Sequence, residues 1–245
     1  MFTNTLERRQ DAALARASAV RAPVDRPSHR RCAEAPTSGA RVTARVSEIR
    51  VSEPSTSGIV RFDGYASVTE QPYEMWDWYG PYEEVVRAGA FRQTLLQSDL
   101  DVPFVIVHDQ IRRMARTIMG TLHLEETDHG LHVGADLDTR DSDVAYIVPK
   151  LIPNESGHSL VDEMSFAFRI IKGLWAPDYL QYDIEQVDLH RGDVAIVGYG
   201  ANPYTAGSGL AEDLPSPPAQ LAAEPPSKRG VDLISEADIA PRRFR

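Results

Sequence analysis

Three residues of this chain stand where a side chain can do chemistry: His108, Ser165 and Asp193. His108 closes the run Pro103-Phe104-Val105-Ile106-Val107-His108-Asp109, an apolar stretch of the kind that forms a buried strand. A histidine at such an exit is held by a rigid element yet faces a loop, and its ordinary pKa near neutrality suits proton transfer. Ser165 lies in Met164-Ser165-Phe166-Ala167-Phe168-Arg169-Ile170. Strict alternation there sends Met164, Phe166 and Phe168 to a core, and leaves Ser165 and Ala167 on a face of small side chains. Asp193 precedes another apolar run, Val194 to Gly200. A serine hydroxyl is a poor nucleophile until a base takes its proton, and the base needs an orienting partner. Serine, histidine and acid on separate strands are the set that acyl transfer requires. The set alone decides nothing, because a histidine after a strand can equally well cap it, and any chain of this size holds many such combinations.

The elements that must position these residues are mostly strands. Ile59 to Val68 reads as a strand with a bend or bulge at Gly64. Pro72 to Tyr82, aromatic and acidic, reads as a loop folded onto the body or as a substrate- or partner-contacting flap. Arg92 to Gln97 reads as a short helix, and Gln110 to Ala115 as an arginine-bearing loop. Thr117 to Leu124 and Leu131 to Leu137 read as two strands around the hairpin chemistry of residues 125–130. Its histidines, His123, His129 and His132, invite a metal reading, but His129 lies in the turn and the other two lack a shared carboxylate. No metal or cofactor is expected. Thr139 to Asp143 offers an N-cap for a helix through Leu151. Tyr179 to Leu189 is a further strand, and His190 to Asp193 a turn or bulge before the last one. This pattern predicts an α+β, mostly β body: a closed or orthogonally packed β-barrel with helices around it.

The 245 residues allow one well-buried domain with tails. A net charge of −10 argues against a general nucleic-acid binder. Residues 1–50 hold 10 Lys+Arg against 5 Asp+Glu, so the remainder carries −15. Residues 1–57, broken by Pro23, Pro27 and Pro36, therefore read as a basic, largely disordered arm, although Thr5 to Val20 can form a helix. Arg41 to Ser52 alternates loosely and suggests a first strand or an extension. The ordered body is expected over 58–206, and 207–245 as a Pro-rich flexible tail. Cys32 is the only cysteine, which fits a reducing compartment. No apolar run approaches the roughly 18–20 residues that span a bilayer. No secretory apolar core is visible, and Glu7, Asp11, Asp25 and Glu34 argue against an organelle transit peptide, so a cytoplasmic, non-membrane protein is expected.

Several blocks, in order, resemble the prohead proteases of tailed bacteriophages, the capsid-maturation serine proteases. They are Gly64-Tyr65-Ala66, Val86-Arg87-Ala88-Gly89-Ala90-Phe91, the strand ending in His108-Asp109, Gly120 to Leu124, and Asp128-His129-Gly130-Leu131. Met164-Ser165-Phe166-Ala167-Phe168, Asp193 to Val197 and Ala201-Asn202-Pro203 follow. The resemblance implies a barrel of about seven strands akin to the herpesvirus assembly protease. It implies His108 as general base and Ser165 as nucleophile, with an acid just before the last strand orienting the histidine; Asp193 is the first choice. Where the family often has Glu-Val-Ser, this chain has Asp193-Val194-Ala195, and two extra residues separate Leu189 from the acid. His190 is the runner-up, since the herpesvirus enzymes use a second histidine, and Asp188 is third. Backbone N–H groups are the default oxyanion donors, with Arg112 or Arg113 as possible contributors. The resemblance further implies an endopeptidase packaged in the prohead, in the host cytoplasm. It would trim the scaffolding segment of the capsid protein precursor and cut itself, with self-association possible.

Two other classes stay open on the sequence. One is a catalytically inactive scaffold or capsid-assembly factor on the same fold, against which intact His108 and Ser165 speak. The other is an esterase or amidase on a different fold. The surroundings Glu163-Met164-Ser165-Phe166-Ala167 lack the Gly-x-Ser-x-Gly elbow of the usual hydrolase scaffold.

Overall fold

A computed structural model of the chain describes residues 5–32, 58–199 and 209–210, all within one compact unit, Met1–Asp213. The expected element at Arg41 to Ser52, the Ala201-Asn202-Pro203 block and nearly all of the Pro-rich tail lie outside the described residues. The strands are β1 (Arg31–Cys32), β2 (Ile59–Val68), β3 (Tyr73–Trp76), β4 (Pro81–Val86), β5 (Pro103–Ile106) and β6 (Arg113–Arg116). They continue with β7 (Leu122–Glu126), β8 (Gly130–Asp138), β9 (Glu163–Trp175), β10 (Gln181–Val197) and β11 (Gly209–Leu210). The helices are α1 (Thr5–Ala19), α2 (Arg92–Leu95) and α3 (Ser142–Leu151).

The fold is α+β and mostly strand, as the alternation predicts. The strands form a seven-stranded sheet, order β1-β3-β4-β10-β5-β6 with β9 on β10, and a four-stranded sheet, order β11-β2-β8-β7. Among the described residues no pairing joins these into a closed barrel. Alternate residues of β2 and β8 (Val60, Phe62, Leu131, Val133, Leu137) meet Phe104, Ile106, Val194 and Ile196 of the other sheet in one core. The rings of Phe62 and Phe104 are 4.8 Å apart. Burying each such side chain stabilises the fold by about 1.5–3 kcal/mol. Helix α3 adds Val144, Ile147 and Leu151 to the core. Its N-cap is Asp141, whose carboxylate accepts from the N–H groups of Asp143 and Val144.

Two loop assignments need correction. Pro72 to Tyr82 is the hairpin β3–β4, turning through Asp77–Gly80, where the Asp77 carboxylate accepts from the N–H groups of Tyr79 and Gly80. Tyr73 and Tyr82 of this hairpin face inward and donate hydroxyl hydrogen bonds to buried Glu84, whereas Trp78 at the turn is exposed. Burial first, and then the Glu84 carboxylate, push both phenols up, so they stay protonated donors. Gln110 to Ala115 is a loop only to Arg112; Arg113–Arg116 pairs with β5.

The larger correction is at the N-terminus. Helix α1 packs on the body, and the face it buries is Ala12, Ala13 and Arg16, while Leu6 and Leu14 point to solvent. The helix approaches closely because the hairpin offers Gly80, where an added Cβ would lie 2.9 Å from the Ala12 Cβ. The Arg16 side chain is fully buried between the rings of Tyr82 and Trp175. It donates to both oxygens of Asp77, at 2.7 and 3.0 Å, and to the carbonyls of Tyr179, Gly80 and Pro81. Further along, Arg30 donates to Glu84, so both buried acids of the hairpin are matched by guanidiniums from upstream. Breaking a buried pair from one side leaves the other charge stranded. Arg16→Ala is therefore expected to cost about 3–5 kcal/mol, read as a drop in the urea midpoint.

In the hairpin β7–β8, His132 Nε2 lies 2.8 Å from Asp63 on β2. Tyr65 packs edge-on against the rings of His129 and His132. The hydrogen bond to Asp63 raises the His132 pKa despite burial. A raised folded-state pKa gives stability that is fully present below about pH 6.5, the unfolded value, and is lost as pH rises through the folded value. Asp63→Asn should lower Tm at about pH 5.5 and have much less effect at about pH 8.5, by thermal melts at the two pH values.

Candidate active site

His108 is presented by a strained turn. Strand β5 is buried along its length, and the chain reverses directly after it. Asp109 N–H donates to the Ile106 carbonyl at 3.0 Å, and Val107 N–H ties the turn to the Ile196 carbonyl of β10 at 2.9 Å. Both central residues have positive φ, 51° at Val107 and 59° at His108. Such turns ordinarily carry Asn-Gly. A β-branched residue there is an outlier, and each position costs roughly 1–3 kcal/mol that the surroundings must offset. What the turn achieves is the placement of His108, whose Nδ1 lies 2.7 Å from Asp193 Oδ1. A carboxylate only accepts, so in the tautomer that this contact favours Nδ1 carries the hydrogen and a neutral imidazole keeps its Nε2 lone pair. The Asp193 side chain is 2% exposed and that of His108 38%, so the pair is buried at the carboxylate and open at the imidazole.

Asp193 reaches this face because β10 is bulged. Asp188 stands opposite Arg169 and Asp193 opposite Ala167, so β10 takes five steps where β9 takes two. The bulge is pinned by Leu189 N–H on Thr94 Oγ1 and Arg191 N–H on the Asp101 carbonyl, both 2.9 Å. Gly192 is required there, since an added Cβ would sit 1.9 Å from the Ala167 oxygen. Before the bulge Val187 and Leu189 enter the core; after it Val194 and Ile196 do. The phase has changed, and Asp193 turns away from the core together with Ala195 and Val197, which pack on Val105 in a small separate cluster.

Ser165 stands opposite Ala195 in the same register, hence on the same face, two residues along β9 from the partner of Asp193. It is half-buried among small side chains, and its hydroxyl makes no hydrogen bond among the described residues, with His108 or otherwise. The strand under it is braced: Phe166 stacks on Phe168 at 4.2 Å and meets Phe91 edge-on at 5.6 Å. Phe91 belongs to the Arg87–Phe91 block, which is held by the N–H groups of Gly89 and Phe91 on Glu126.

The other candidates lie elsewhere. His190 Nδ1 accepts from the Asp101 N–H, and Asp188 binds Arg169. Arg112 is held on α3, donating to Asp143 at 2.8 Å and lying over Tyr146. Arg113 donates to the Gln110 carbonyl.

Sequence reasoning missed Gln110. Its Nε2 donates to Asp193 Oδ2 at 2.6 Å, occupying the oxygen that His108 leaves. The only signal was general: a buried carboxylate needs a second donor, and a polar residue two places after the base is within reach. Gln110 is placed to hold Asp193 rather than to touch a substrate. Gln110→Ala should lower kcat/KM about 10–100-fold, the worth of one hydrogen bond to a charged group. Gln110→Glu adds negative charge, favours the imidazolium, and should move the acid limb of the kcat/KM profile to higher pH, which a merely structural role would not do.

A family model for the caudovirus prohead serine protease matches residues 46–213. The chain belongs to that family. As a member of the prohead serine proteases it carries a family identity of serine peptidase and capsid maturation in tailed phages. No curated protein matches the chain. Among the described residues of this prohead-protease chain, no helix is long and apolar enough to cross a membrane.

Proposed function

We propose that this chain is an active prohead maturation endopeptidase, with Ser165 as nucleophile, His108 as general base and Asp193 as the acid that orients it. The observation that carries the reading is the His108–Asp193 hydrogen bond on the sheet face that also bears Ser165. In the proposed reaction Ser165 Oγ attacks a peptide carbonyl while His108 Nε2 takes its proton. The tetrahedral intermediate collapses, His108 returns the proton to the leaving amine, and water activated by the same base releases the acyl group. Asp193 stays ionised and holds the imidazole with Nε2 toward the serine. The substrate is the capsid protein precursor, cut in its scaffolding segment, and the chain itself, inside the assembling prohead in the host cytoplasm. Kinship with the herpesvirus assembly protease fold belongs to the same reading.

A fluorophosphonate probe tests the catalytic part. Labelling of Ser165 that disappears in His108→Ala supports it; no labelling, alone or during co-assembly with the capsid precursor, rejects it. Mass analysis of the capsid precursor from the same co-assembly tests the substrate.

A further inference from the structure

Residues 58–199 hold 11 Lys+Arg against 24 Asp+Glu, so the body that carries the site is strongly acidic. Beside the site the sign reverses. A cavity of about 220 Å³ is lined by Arg113, Arg116 and Arg191, with Asp101, Gln110 and Gly192 among its other walls. Asp101 is its one acid, and both of its oxygens are taken by Arg116 at 2.6 Å. That leaves two guanidiniums, Arg113 and Arg191, outside any ion pair among the described residues. Among the described residues Arg113 donates only to the carbonyl and side-chain oxygen of Gln110, and it feels Asp101 at longer range. Arg191 is exposed on the bulge at φ 60°, and its side chain has no partner among the described residues.

The place of this cavity matters as much as its charge. Gln110 both lines it and donates to Asp193, and Gly192 lines it and precedes Asp193. It therefore adjoins the His108–Asp193 pair. Asp193 is level with Ala167, two residues from Ser165, or about 7 Å along an extended strand. A peptide lying extended across Ser165 passes such a cavity within a few residues of the bond it presents. The volume suits one side chain with a few waters. Planar guanidiniums recognise carboxylates, often two-pronged, and reject cationic side chains.

We infer that this cavity is a specificity subsite that takes an Asp or Glu side chain of the substrate close to the scissile bond, its carboxylate gripped by Arg113 and Arg191. The inference rests on the peptidase reading of the adjoining site. It makes the acidic body selective: acidic segments are repelled over most of its surface and held where they can be cut.

Binding without turnover provides the test. Ser165→Ala protein, labelled with ¹⁵N, is titrated with acetyl-Ala-Ala-Glu-Ala-Ala-amide and with its Gln counterpart, following the arginine Nε–H and the Gln110 side-chain amide signals by NMR. The Glu peptide is expected to bind at least tenfold more tightly and to shift both sets of signals. Adding Arg191→Asn, which tolerates the left-handed backbone, should remove most of that difference. Equal affinity of the two peptides, no saturable shift with the Glu peptide at about 10 mM, or a difference untouched by Arg191→Asn would overturn the subsite. So would inorganic phosphate that binds more tightly than the Glu peptide, since the cavity would then be a general anion site. Failure of the peptidase reading shows separately, as absent fluorophosphonate labelling of the wild type.

Discussion

Ser165→Ala is expected to remain folded and to lose turnover by about 10⁴–10⁶-fold in kcat. The hydroxyl oxygen is the only protein atom in the proposed scheme that bonds to the carbonyl carbon of the substrate, so no other side chain replaces it. Its removal costs the fold little. Ser165 is half-buried on a face shared with Ala167 and Ala195, and its Oγ makes no hydrogen bond among the described residues. Intact mass of wild type and variant, incubated alone and with a capsid precursor, reads the result. Shortening of either chain by the wild type but not by Ser165→Ala is the expected outcome. Processing by the variant at the wild-type rate would remove Ser165 from the reaction, and matched melting curves guard against a folding artefact.

Asp193→Asn should lower kcat by about 10⁴-fold, the size of effect such a change has in other Ser-His-Asp enzymes. Gln110 Nε2 can only donate, so the carbonyl oxygen of the new amide would turn toward Gln110 and its NH₂ toward His108. A donor facing Nδ1 forces the hydrogen onto Nε2. The base would then present an N–H to Ser165 in place of a lone pair. The substitution is nearly isosteric, so a loss of activity without a comparable loss of Tm separates this tautomer effect from misfolding. His190→Ala and Asp188→Ala are the controls. His190 serves the Asp101 backbone and Asp188 serves Arg169, so neither is expected to approach the effect of Asp193→Asn. An effect of His190→Ala equal to that of Asp193→Asn would move the orienting role.

The legible part of the site follows from period-two alternation. Met164–Ile170 announces which side of its strand Ser165 occupies, and the structure buries Met164 fully while Phe166 and Phe168 pack on the core. The Pro103–Ile106 run is as buried as its composition suggests. Asp193 is harder to place, because its face depends on a phase change within β10, and alternation carries no information across a bulge. Gln110 is invisible in the sequence because its partner is distant in the chain. The hairpin β3–β4 is obscured by acids and tyrosines that satisfy one another only once the hairpin is formed. For α1 the usual signal points the wrong way: its leucines are exposed and its arginine is buried, so an apolar stripe would assign the opposite face to the body.

The docking of α1 and Arg30 bears on where this protein can be cut. The family match begins at residue 46, and the alternation that marks the body begins near Gly58. Either point is a natural place to start a shortened clone. Both lie downstream of Arg16 and Arg30, so a chain begun there would keep Asp77 and Glu84 inside the hairpin and discard the guanidiniums that neutralise them. Similarity to relatives delimits the shared chemistry; the counter-charges that neutralise this chain's buried acids start well before the first matched residue.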